Sequence, residues 1–77
     1  MLDKGIDYTT QAIEQDPEYA FAYYVRSTAY EIMGDYEPAI ADLNIVTELA
    51  DEQGLDELFV LAKQRIGVMY QGGAGGF

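Results

Sequence analysis

The sequence predicts an all-α domain of about four helices, arranged as antiparallel helix pairs. Three observations predict it. Apolar residues recur at spacings of three and four, no stretch alternates strictly between apolar and polar, and β-branched residues are scattered. Helix breakers fall between the periodic stretches, at Asp16-Pro17, Gly34-Asp35 and Gly54.

The first helix is expected from about Asp3 to Gln15, with Leu2, Ile6, Thr9 and Ile13 sharing a face. Asp16-Pro17 stops it, because proline disfavours helical geometry at the residue before it. Pro17 can then open the second helix, where its missing donor had no partner anyway. That helix is expected from about Glu18 to Met33, with Ala22, Tyr23, Arg26, Ser27, Tyr30 and Met33 along one side. Gly34 suits a left-handed C-cap and Asp35 a following N-cap, which together predict a tight reversal. Pro38 is tolerated because it sits in the next first turn. The third helix spans about Tyr36 to Ala50, striped by Ala39, Ile40, Leu43, Val46 and Leu49. A polar loop, Asp51 to Leu55, leads to Asp56 as N-cap of a fourth helix from about Glu57 to Tyr70. The domain is thus residues 1–71, and residues 72–77 form a glycine-rich tail with little to offset its ordering entropy.

At 77 residues and 8.6 kDa there is room for one small core. Folding should leave about 4,700 Å² exposed and bury roughly 62% of the extended chain's surface, a marginal amount for a monomer. A 49% hydrophobic content is too rich for a disordered tail. Fourteen acidic against four basic residues give a net charge of −10, which argues against nucleic acid or an anionic membrane as partner. With no cysteine and no histidine, disulfides, thiolate metal sites and imidazole chemistry are excluded. The apolar run Leu58 to Ala62 is far too short to span a bilayer. No signal peptide is visible, because Met1 to Gly5 leads into no apolar core segment, and a cytoplasmic protein is expected.

Tyr23, Arg26-Ser27, Tyr30, the Gly34-Asp35-Tyr36 turn, Ala39-Ile40, Leu43 and Val46 together resemble one tetratricopeptide repeat, a 34-residue helix pair. The spacing has a physical basis. Small residues, here Ser27 and Ala39, let two antiparallel helices approach closely while large ones fill the surrounding space. Gly5-Ile6, Ala12-Ile13 and Asp16-Pro17 resemble the second helix of a preceding repeat. Ile66-Gly67 and Tyr70 resemble the first helix of a following one, out of frame because Ser27 and Gly67 are 40 positions apart. Arg26, Asp51 and Lys63 depart from the family pattern, which favours a large apolar residue, a proline and an aromatic there.

The resemblance implies a right-handed superhelix whose inner face binds peptides. On the matching helix that face would carry Phe21, Tyr24, Thr28, Glu31 and Ile32. The alternative is that these side chains merely pack on a neighbouring helix. The face lacks the lysines and asparagines that some members use to clamp a C-terminal carboxylate, so a basic or apolar protein segment is the expected partner.

Other motifs are better read as structure. The acids Glu48, Asp51, Glu52, Asp56 and Glu57 lack calcium-loop spacing and suit a solvated loop with helix-end carboxylates. Gly72 to Gly76 is no phosphate loop, because no strand precedes it and no Lys-Ser/Thr follows. No catalytic constellation, metal site or cofactor site is recognisable, and an enzyme is not expected. Arg26, on an inward side, is expected to lay its stem across the core and pair with a carboxylate such as Asp42.

The fourth helix raises a further expectation. Leu58, Leu61, Ala62, Ile66 and Met69 can face the third helix, which leaves Phe59, Val60, Val68 and Tyr70 pointing elsewhere. A helix apolar nearly all round wants burial nearly all round. A homodimer joined through these four residues is the expected solution, and a self-assembling structural domain is the alternative to a peptide-binding module.

Overall fold

Four helices follow one another without a strand among the described residues: α1 (Leu2–Gln15), α2 (Ala20–Met33), α3 (Tyr36–Gln53) and α4 (Asp56–Val68), closed by a π-helical turn, Met69–Gly73. The computed structural model describes residues 2–73, with side chains over 4–71. Leu2's expected place on an apolar face and most of the expected glycine-rich tail lie outside those limits.

Short connections force neighbouring helices to run antiparallel. Each helix packs chiefly on its neighbours in sequence, with α2 against α3 the largest contact, followed by α3 against α4 and α1 against α2. The result is a slab of 39 × 29 × 15 Å. Its 5052 Å² of surface exceeds the ~4,700 Å² typical of this mass, as a thin slab should.

The core runs through α2, α3, α4 and the π-helical turn: Ala20, Tyr23, Ala39, Leu43, Val46, Ala50, Leu58, Ala62 and Met69. Ser27 and Ala39, expected at the close approach, are both buried. Ser27 satisfies its hydroxyl locally by donating to the Tyr24 carbonyl at 2.6 Å. No described side chain of α1 is fully buried, so this helix covers one side of α2 only.

The two later reversals share one geometry. Gly34 (φ 85°) and Gly54 (φ 73°) each take the left-handed conformation that a side chain disfavours. The following amide then reaches back to the last turn, Asp35 to Tyr30 at 2.9 Å and Leu55 to Ala50 at 2.8 Å. The first reversal differs. There the Asp16 carboxylate accepts the Glu18 amide at 3.2 Å, and the Tyr23 hydroxyl donates to the Pro17 carbonyl at 2.9 Å.

Several expectations are corrected. Helix α3 continues through Asp51, Glu52 and Gln53, so the loop shrinks to Gly54-Leu55. Exposed polar residues extend a helix readily, and Gly54 supplies the stop. Gln53 then donates to the Glu18 carbonyl at 2.7 Å, tying this end of α3 to the connection that leads into α2. Helix α2 starts at Ala20, beyond Pro17 and Glu18. Asp35 caps α3 without a side-chain bond, and Leu55 rather than Asp56 occupies the N-cap of α4. Gly67 is exposed with open space where a Cβ would stand, so it marks no close approach. The buried small residue of α4 is Ala62, one position beyond a 34-residue step from Ser27. Met33 is exposed rather than part of the α2 stripe.

On α4 the apolar faces are also redistributed. Leu58, Ala62 and Met69 centre the buried stripe, with Phe59 and Ile66 packed on its flank. Leu61, expected inward, is 46% exposed. At about 100° per residue, Leu61 falls well to one side of the line through Leu58, Ala62 and Met69, whereas Phe59 falls beside Leu55 and Ile66.

Candidate functional site

Helix α2 holds two faces of different character. Ala20, Tyr23 and Ser27 point into the core, and on the opposite side Phe21 (50% exposed), Val25 (53%) and Ile32 (65%) stand in the open. Phe21, Val25, Thr28 and Ile32 are spaced by four, three and four, which makes one stripe along an α-helix. Thr28 is half-buried, and its hydroxyl bonds back to the Tyr24 carbonyl at 3.2 Å.

Of the five residues expected on this face, the structure brings three together: Phe21, Thr28 and Ile32. Tyr24 and Glu31 sit to one flank. Tyr24 is half-buried against the core, and Glu31 pairs with Arg65 of α4. Arg65 is held protonated to higher pH than a free arginine, first by its hydrogen bond to Glu31 and against the opposing effect of burial. This pair spans α2 and α4, so Glu31 is already engaged. Reasoning from sequence missed Val25, although its four-residue offset from Phe21 was available. It also missed the Glu31–Arg65 pair, which requires knowing that the fold brings a side chain of α4 within reach of α2.

Beneath the same helix, Arg26 joins three elements. Its Nε and Nη2 each donate to an Asp42 oxygen at 2.8 Å, and its Nη1 donates to Thr10 Oγ1 of α1 at 3.2 Å. The guanidinium carbon lies 5.8 Å from the Tyr23 ring centroid. The hydrogen bonds to Asp42 raise the Arg26 pKa, and burial opposes them. Asp42 is only 4% exposed. The pairing expected from the sequence is therefore present, and Thr10 is an additional partner.

Surface depressions border the exposed face of α2. One of about 230 Å³ lies between α1 and α2, lined by Tyr8, Thr9, Ala12, Tyr19, Phe21, Ala22 and Val25. Another of about 290 Å³ lies where α2 and α4 begin, lined by Phe21, Gly54, Leu55, Asp56, Glu57 and Leu58. On α4 itself, Asp56, Glu57, Val60, Leu61 and Gln64 line an open depression on the side away from the core.

The four residues expected at an oligomer interface separate. Val60, Val68 and Tyr70 are exposed, but Phe59 is half-buried against the core, with Lys63 Nζ 5.7 Å from its ring centroid. Among the described residues no group of His, Cys, Asp or Glu is placed to hold a metal ion. No helix there is long and apolar enough to cross a membrane. Compared with family models, with curated proteins and with solved structures, the chain matches none.

Proposed function

We propose that this chain is a tetratricopeptide-like module for protein–protein interaction, without catalysis, which binds a protein segment along the outward face of α2. The observation that carries the reading is the division of α2 into a core face and a stripe of exposed apolar residues, Phe21, Val25 and Ile32. Three exposed apolar side chains on one stripe forgo several kcal/mol of burial, about 1.5–3 for each when fully covered. A peptide laid along the helix would recover part of it. Phenylalanine offers contact area at little entropic cost, which suits such a role.

The tetratricopeptide likeness is supported by the buried pair Ser27 and Ala39, by the repeated glycine reversals, and by helices packed in order of sequence. Ala62 taking the place of Ser27 one position beyond a full repeat length adds to it.

Peptides selected on the immobilised chain from a random displayed library test the reading. Phe21→Ala and Ile32→Ala should each weaken the selected peptides by about tenfold while leaving the circular dichroism spectrum unchanged. Peptides that bind both variants like the parent would place the site elsewhere.

A further inference from the structure

The three depressions adjoin one another. Phe21 belongs to the walls of both the α1–α2 and the α2–α4 depressions. Asp56 and Glu57 belong to the walls of both the α2–α4 depression and the one on α4. They therefore follow one another as a band of neighbouring depressions, parted by these shared side chains, across the end of the slab where α2 and α4 start. Its two arms are apolar, with Tyr8 and Val25 on one side of Phe21 and Val60 and Leu61 on the far side of the acids. Between the arms stand two exposed carboxylates.

From this order, apolar then acidic then apolar, we infer that the band binds a protein segment in which a lysine or arginine is flanked on both sides by apolar residues, the cation resting between Asp56 and Glu57. The inference rests on the reading of α2 as a docking face and extends that face across to α4. Charge favours such a partner over a second copy of this chain. Each copy carries −10, so two copies repel. The chain's own run of this pattern, Leu61 to Ile66, is already engaged, because Ala62 is in the core and Arg65 is paired with Glu31. Both carboxylates are solvent-exposed, so they contribute selectivity and speed of encounter, while the apolar arms supply most of the affinity.

Selection of random displayed peptides on the full chain tests the inference directly. Peptides enriched on the parent should carry Lys or Arg between apolar residues. Nuclear magnetic resonance shifts on adding them should extend from Phe21 through Leu55–Leu61. The double variant Asp56→Asn/Glu57→Gln should bind them about three- to tenfold more weakly while staying folded, with a melting temperature lowered by a few degrees because both acids sit in the first turn of α4, and reselection on it should lose the basic residue but keep the apolar ones. Enriched peptides without a basic residue, or shifts confined to α2, would overturn the inference and leave the α2 docking face standing. No enrichment at all, or shifts on neither helix, would overturn both. A free chain that sediments as a dimer, with Val60 and Leu61 shifting on dilution, would also overturn it by making a second copy the occupant.

Discussion

Arg26 and Asp42 form a bidentate pair, each carboxylate oxygen accepting one guanidinium N–H at 2.8 Å. The pair joins α2 to α3, and Arg26 extends it to Thr10 on α1. The planar fork of arginine is what makes two parallel bonds available. The stem of Arg26 fills space that a large apolar residue would otherwise occupy, so the same side chain both packs and pairs.

Breaking the pair from one side should be costly. Asp42→Asn leaves a largely buried guanidinium without its counter-charge and should destabilise by about 3 kcal/mol. Arg26→Lys keeps the charge but loses the fork and should cost less. Replacing both residues with apolar ones of similar volume, Arg26→Met with Asp42→Leu, should cost less than Asp42→Asn alone. Urea denaturation of the three variants and the parent checks the order, and a double variant less stable than Asp42→Asn would refute it.

The pair should not make stability depend on pH near neutrality. The Arg26 pKa is raised above its ordinary value in the folded state, chiefly by the hydrogen bonds to Asp42, so its stabilisation is complete below the ordinary arginine range and is lost only as pH climbs through the still higher folded value. The melting-temperature loss caused by Arg26→Met should therefore be the same at about pH 7 and about pH 9. A loss that shrinks clearly by pH 9 would contradict this.

Ser27 and Ala39 should resist enlargement. Both are buried where α2 and α3 meet, and a leucine at either position overpacks the contact by about 1–3 kcal/mol. For a domain of this size each kcal/mol lowers the melting temperature by about 4–8 °C. A melting temperature unchanged in Ala39→Leu would mean that the helices are not in close contact there.

Phe21 and Tyr24 should behave differently from each other. Phe21→Ala removes a half-exposed ring and should change stability little, whereas Tyr24→Ala removes a ring packed on the core and should cost about 2 kcal/mol or more. Thermal melts of the two single variants separate these outcomes, and equal losses would erase the distinction.

Glu31→Gln should cost under about 1 kcal/mol, because Arg65 is 41% exposed and water screens the pair. The loss should shrink further in high salt. A loss as large as that of Asp42→Asn, measured in the same urea series, would show that the α2–α4 bridge carries more of the fold than its exposure implies.

Helix content, the stops at Asp16-Pro17 and Gly34, and the stripe of α3 were legible in the sequence because each depends on residues within a few positions of one another, whereas the last turn of α3, up to Gly54, reads as a polar loop. Periodicity and breaker chemistry act locally, so no knowledge of neighbours was needed. The Arg26–Asp42 pair was legible too, since a cation on an apolar helix face demands a carboxylate and Asp42 stands on the next helix. What only the tertiary structure decided depends on how the helices turn about their axes. Leu61 and Phe59 are two positions apart on one helix, and the sequence offers both to the core. The rotation of α4 against α3 admits Phe59 and leaves Leu61 in water. That same rotation brings Arg65 to Glu31, and the packing of both helices on α3 leaves Asp56, Glu57 and Phe21 around one depression. These relationships join residues far apart in the chain, and only the packing of the helices brings them together.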